Sequence, residues 1–130
     1  MILCDTSIII EFYKNNSQII SELHFIGQSN IAISAITKAE LYFGALNKAE
    51  LRKIRKHLSS IRLFPIDISI SKKFISLMEN YSLSHKLCIP DALIAATALI
   101  YSIELYTLNS KDFQFIENIQ LYKPIGLKKE

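Results

Sequence analysis

The sequence is poor in residues that interrupt or staple a chain. It has three Gly, three Pro, two Cys and no Trp among 130 residues. So few Gly and Pro leave little room for long linkers. Two cysteines, Cys4 and Cys88, both set in apolar sequence, make no disulfide framework and point to a reducing, cytoplasmic setting. The lack of Trp excludes nothing. Charge is scarce too: 21% of residues are charged and 50% are hydrophobic, which argues against disorder and supplies a sizeable core. The longest apolar stretch, Ala92 to Tyr101 broken only by Thr97, falls short of the roughly 20 residues a membrane helix needs. The first apolar run, Met1 to Cys4, has no charged leader and stops at Asp5, so no secretory signal is read there. The length fits one domain over 1–130.

A net charge of +3 does not by itself announce a nucleic-acid binder. Its distribution is less even. Lys48, Arg52, Lys53, Arg55 and Lys56 fall in one short stretch, and Lys123, Lys128 and Lys129 form a basic tail. A solvated helix face and a soluble tail are the ordinary explanation; a phosphate-tracking patch is the alternative.

Short apolar runs alternate with helical patterns. Met1–Cys4, Ile31–Ile33, Leu63–Ile66, Glu104–Thr107 and Ile119–Tyr122 read as five strands, with Pro65 marking an edge or a strand end. A helix follows Asp5 and breaks at Asn15 and Asn16; a second stops at Gly27; a third begins at Thr37. Residues 50–60 form a charged helix and 70–83 an amphipathic one. Pro90 opens a segment from Asp91 to Tyr101 that is apolar almost all round and so belongs in the interior. This alternation predicts an α/β fold whose mostly parallel five-stranded sheet is covered on both faces.

Ligands of such sheets bind beyond the carboxyl ends of the strands. Asp5 directly follows the first strand, Glu40 lies in the helix after the second, Asp91 opens the buried helix, and Asn109 and Asp112 follow the fourth strand. Each acid has an ordinary explanation. Asp5 suits a helix N-cap. Thr37-Lys-Ala-Glu40 matches a capping box. Asp91, beside Pro90, opposes the helix dipole, and Asp112 suits a short helix begun at Ser110. Their conjunction carries more weight. Asp5 and Asp91 lie in apolar sequence, and an ionised carboxylate there needs a partner. The nearest lysines, Lys38 and Lys111, are single and flexible. A hard, oxygen-loving cation, Mg²⁺ or Mn²⁺, suits several carboxylates better. Asp5, Asp91, Glu40 and Asp112 are therefore the candidate metal ligands. Such an ion lowers the pKa of a water and neutralises phosphate charge, with a third acid to orient or deprotonate that water. Thr6, Ser7 or Asn109 would bond the phosphate or fix a ligand.

Four segments carry a family resemblance: Asp5-Thr-Ser, Ser34-Ala-Ile-Thr-Lys-Ala-Glu40-Leu-Tyr-Phe-Gly44-Ala, Asp91-Ala-Leu-Ile-Ala-Ala-Thr-Ala and Thr107-Leu-Asn-Ser-Lys-Asp-Phe113. In this order they resemble the four motifs of the PIN domain, more narrowly of VapC-type toxins from bacterial toxin–antitoxin pairs, across essentially the whole chain. The resemblance implies a three-layer α/β/α sandwich, Mg²⁺- or Mn²⁺-dependent endoribonuclease activity, a homodimer, and a VapB-like antitoxin whose C-terminal segment blocks the site. It assigns Asp5 and Asp91 as principal metal ligands, Glu40 as the acid supporting them, and Thr6 as the hydroxyl beside the first acid. The fourth motif departs from the pattern. Asn109 stands where some relatives have Asp, and Asp112 is the alternative fourth carboxylate; one or two metal ions stay open. Ser7 stands where Asn is common. Gly44 reads as a helix-interior residue allowing close packing, in a helix that suits the dimer interface. His24, His57 and His85 match no motif and read as surface or core residues.

Other readings fit less well. A non-catalytic PIN-like module that binds RNA or protein is the main alternative, against which the intact first three acids stand. A phosphate-accepting receiver domain would want an acidic pair after the first strand, but Asp5 has no acidic neighbour before Glu11. A phosphohydrolase with a D-x-D start is disfavoured because Thr6 and Ser7 follow Asp5.

Overall fold

A computed structural model describes residues 1–125; Lys128 and Lys129 of the basic tail lie outside them. Four strands, β1 (Ile2–Cys4), β2 (Ile31–Ser34), β3 (Arg62–Phe64) and β4 (Glu104–Tyr106), form one parallel sheet in the order β3-β2-β1-β4. Helices α1 (Thr6–Tyr13), α2 (Ser17–Ile26), α3 (Ala35–Phe43), α4 (Lys48–Leu58), α5 (Ile68–His85) and α6 (Ile89–Tyr101) connect or flank them.

Side chains alternate across a strand, so each strand feeds two cores. Leu3, Ala32, Phe64 and Leu105 pack with Ile70 and Leu77 of α5 and Ala92, Ile94, Ala95 and Ala98 of α6. Cys4, Ile31, Ile33 and Tyr106 face the other way, against Ile8 and Ile9 of α1, Ile19 and Leu23 of α2, Leu41 of α3, and Ile54 and Leu58 of α4. The result is an α/β/α sandwich. The run of alanines lets α6 lie close to the sheet, and its buried Thr97 hydroxyl donates to the Leu93 carbonyl at 2.8 Å.

The expected fifth strand is reduced to a single bridge. Leu121 pairs with Leu105, held by Leu105 N–H to the Gln120 carbonyl and Tyr122 N–H to the Leu105 carbonyl, both 2.8 Å. Asn118, at φ 69°, turns the chain just before it, and Pro124 brings no N–H just after, so the segment touches β4 without extending the ladder. β3 is an edge strand and ends immediately before Pro65, as the proline predicts.

Both ends of α3 also differ. α3 is capped by Ser34, whose hydroxyl accepts from Thr37 N–H at 3.3 Å. Thr37 is therefore inside the helix, and the Thr37–Glu40 capping box does not exist. Gly44 is not inside a helix but caps the end of α3. A Cβ there would meet the Glu40 and Leu41 carbonyls at ordinary distances, so close packing does not explain it. Gly27 does end α2 as expected, at φ 90°, where a side chain would be strained.

Leu105 is fully buried on the sheet, whereas Leu83 is 96% exposed on α5. Leu105→Ala should lower the unfolding free energy by about 2–5 kcal/mol, and Leu83→Ala should change it by less than about 0.5 kcal/mol, as read by urea denaturation.

Candidate active site

The chain runs outward from β1 to β2 and β3, then returns through α5 and α6 to lay β4 on the other side of β1. Strand order therefore reverses between β1 and β4, and the crevice beyond their carboxyl ends is where such folds hold ligands. The register pairs Cys4 with Tyr106, so the next residues on each strand, Asp5 and Thr107, are neighbours.

Asp5 is buried, and its carboxylate is tightly held. Oδ1 accepts from Thr6 N–H at 2.7 Å, which makes Asp5 the N-cap of α1. Oδ2 accepts from the Thr107 hydroxyl at 2.7 Å and the Ser7 hydroxyl at 3.1 Å. Thr107 and Ser7 are themselves anchored, accepting from Asn109 N–H at 3.0 Å and Leu108 N–H at 3.4 Å. Capping and site-building are thus performed by different oxygens of one side chain.

Thr6 joins the first acid to the second. Its hydroxyl donates to Glu40 Oε1 at 2.8 Å and lies 2.9 Å from the buried Thr37 hydroxyl. Because Thr6 has one proton and gives it to Glu40, Thr37 donates to Thr6. Glu40 thus faces back across the sheet edge to α1, away from its own helix start.

Asp91 is the third residue of α6 and half-buried. Burial raises its pKa, and the charges of Asp5, Asp112 and Glu40 raise it further, against a downward pull from a hydrogen bond with the Cys88 thiol. The other three acids therefore all act on Asp91 at this edge. Asp112 reaches it from an exposed one-turn 3-10 helix, Ser110–Asp112. Asn109 takes part through its backbone N–H, on Thr107. Among the described residues the ion pair found is Lys14–Glu11 at 3.7 Å, and Lys38 sits over the Tyr42 ring. No lysine or arginine among the described residues forms an ion pair with any of the four acids.

The four carboxylates do not form a closed cage: among the described residues no group of three or more His, Cys, Asp or Glu is gathered tightly enough to hold an ion. That suits a small hard cation which keeps several waters and takes one or two carboxylates directly. The donor set, carboxylate and hydroxyl oxygens without imidazole, fits Mg²⁺ or Mn²⁺ better than a soft metal.

Residues whose part was not evident from sequence are Thr107, Thr37 and Cys88. Thr107 was accessible in principle, since it follows β4 as Asp5 follows β1; Thr37 was hidden by its misplacement at a helix start. Cys88 is exposed rather than apolar in setting. Cys4 is buried, and burial together with the adjacent Asp5 charge pushes its thiol up to about 12. None of the histidines joins the acids: His57 stacks on Phe12 and bonds Tyr13, and His85 stacks on Phe115. Asp67, the residue a receiver domain would phosphorylate, caps α5 through Ile70 N–H at 2.8 Å.

The chain belongs to the PIN-domain family, whose sequence model matches residues 2–117. It is 35% identical over 91 residues to Ribonuclease VapC10 of Mycobacterium tuberculosis, covering 69% of this chain and 68% of that protein. Its fold is similar to that of a toxin–antitoxin complex from Klebsiella pneumoniae, at TM-score 0.80 and 31% identity over 96% of this chain and 100% of the other. It is also similar to VapBC2 from Rickettsia felis bound to a DNA fragment from their promoter, at TM-score 0.80 and 27% identity over 94% and 98%.

The raised Asp91 pKa has a definite sign. Ionising this carboxyl costs more in the folded chain than in the unfolded one, so folding is favoured while it stays protonated. That advantage is lost as pH rises from the ordinary value of 3.8 through the raised folded value. In a chelating buffer Asp91→Asn should melt above the parent at neutral pH, and the gap should close on acidification into the carboxylate range. Thermal melts followed by circular dichroism would read this; a parent that melts higher at neutral pH contradicts it.

Proposed function

We propose that the chain is a single PIN domain acting as a Mg²⁺- or Mn²⁺-dependent endoribonuclease, the toxic member of a toxin–antitoxin pair. The observation that carries the proposal is the convergence of Asp5, Glu40 and Asp112 on Asp91 at an edge where, among the described residues, none of the four acids is held in an ion pair. In a chain similar to Ribonuclease VapC10, this arrangement supports binding of a cation together with an RNA phosphate.

Asp5 and Asp91 would hold the ion directly, with Glu40 behind them and Asp112 as an exposed fourth acid. When bound, the ion supplies positive charge to the phosphate and makes a water at the site more acidic. The chain's own residues do the rest. The Thr6, Ser7 and Thr107 donors fix Asp5 in one orientation, so its carboxylate need not reorganise when a ligand arrives. Thr6 holds Glu40 Oε1, which leaves Oε2 to take the proton of the attacking water. Asn109, carried on the same loop as Asp112, is the candidate to contact the substrate with its amide. The raised pKa of Asp91 favours activity at pH values above it, where this carboxylate is ionised and the cation is more strongly drawn in.

The partners proposed are RNA, a VapB-like antitoxin and a second copy of the chain. The toxin–antitoxin complexes among the similar structures support the antitoxin. Phe43 at the end of α3, Leu46 just after it, and Ile68, Ile75 and Leu83 along α5 are exposed apolar surface that such partners would cover. A cytoplasmic setting suits the two free cysteines; no helix among the described residues is long and apolar enough to cross a membrane.

The purified chain should cleave RNA with Mn²⁺ and stop with chelator. Asp5→Ala and Asp91→Asn should each lower the rate by about a hundredfold or more, and Thr6→Val by about 10–100-fold through loss of the Glu40 contact. Metal-independent RNA affinity without cleavage would instead favour a binding module.

A further inference from the structure

Helix α4 is the most basic element of the fold, and its charges are left over once the core is satisfied. Ile54 and Leu58 are buried, while Arg52, Lys53, Arg55 and Lys56 are all exposed. None of these four forms an ion pair among the described residues. A solvated helix face normally interleaves acids at i,i+4 spacing, but the acid of this helix is Glu50, whose carboxylate is turned back to Leu46 N–H at 3.2 Å.

This helix also walls a groove that leads to the candidate active site. A cavity of about 710 Å³ runs between α1, α3 and α4, lined by Glu40 at one side and Lys53 and His57 at the other. Phe12 and Tyr13 complete an aromatic cluster with His57: the Phe12 and His57 rings stack at 5.2 Å, and the Tyr13 hydroxyl lies 2.9 Å from His57 Nδ1. Lys56 follows Lys53 by three residues and so lies on the same side of the helix.

We propose that α4 and this groove form the track along which single-stranded RNA approaches the acids, with phosphates on Lys53, Lys56 and Arg52 and bases against the Phe12–Tyr13–His57 cluster. The inference rests on the ribonuclease reading and names the surface that would serve it. Charge decides for RNA: the acid edge repels a polyanion, so productive binding needs cations placed beside that edge rather than within it, and α4 has them. Aromatic faces in a groove with cations at its rim are the usual means of holding single strands without sequence preference.

The test is the salt dependence of binding. A labelled single-stranded RNA oligonucleotide would be titrated by fluorescence anisotropy against Asp91→Asn protein, with and without the pair Lys53→Gln and Lys56→Gln. Removing two phosphate contacts should reduce the log–log salt slope by about 1.4 and weaken affinity roughly tenfold or more in 0.1 M salt. In the cleaving parent background the same pair should raise KM by a similar factor and leave kcat unchanged. Lys72→Gln with Lys73→Gln on α5, in the opposite layer, should alter neither. An unchanged slope and KM in the α4 variant, with the parent cleaving RNA, overturns the track alone. Loss of antitoxin binding with RNA kinetics intact would reassign the surface to a protein partner and equally overturn it. A parent that neither binds nor cleaves RNA would overturn the ribonuclease reading beneath it.

Discussion

The fold depends, at its functional edge, on holding the buried Asp5 carboxyl group in one orientation. Three donors from the α1 start and the β4 end meet it, and two of those are fixed by backbone N–H groups of the loop after β4. Parallel pairing of β1 with β4 makes this possible, because equal register delivers Asp5 and Thr107 to the same height. Donors of this kind compensate the desolvation of one carboxylate. They leave unanswered the charges of Asp5, Asp112 and Glu40 on Asp91, and we propose that this repulsion favours a cation there.

Much of this was legible in the sequence, and the misses have physical causes. Asp5, Glu40, Asp91 and Asp112 could be gathered from their places relative to apolar runs, since strand ends in a parallel sheet share an edge. The Thr37–Glu40 spacing misled because a four-residue capping pattern is local, whereas Glu40 is in fact held by Thr6, 34 residues away. Ser34 ends β2 and caps α3 at once, so the strand and the helix share a boundary that periodicity alone cannot divide. Ile119–Tyr122 has a strand's composition, yet the flanking Asn118 and Pro124 reduce its pairing to one bridge. Thr107 escaped notice because its role is a register relation between two strands, which a single pass along the chain does not expose.

Charge is divided across the molecule in a way that composition hides. A net charge of +3 averages over an acidic edge and a basic helix. The groove between α1, α3 and α4 joins the two through Glu40 and Lys53. Membership of the PIN-domain family accounts for the sheet and the helices that flank it.

Mutual repulsion among these carboxylates is proposed to make a site for a hard divalent ion. Electron paramagnetic resonance of free Mn²⁺ measures this directly, without reliance on catalysis. Titration of the parent should remove the free-ion signal saturably, and Asp91→Asn should weaken that binding by about tenfold or more, as expected for loss of a ligand with a charge. Equal Mn²⁺ binding by the parent and Asp91→Asn would contradict the account.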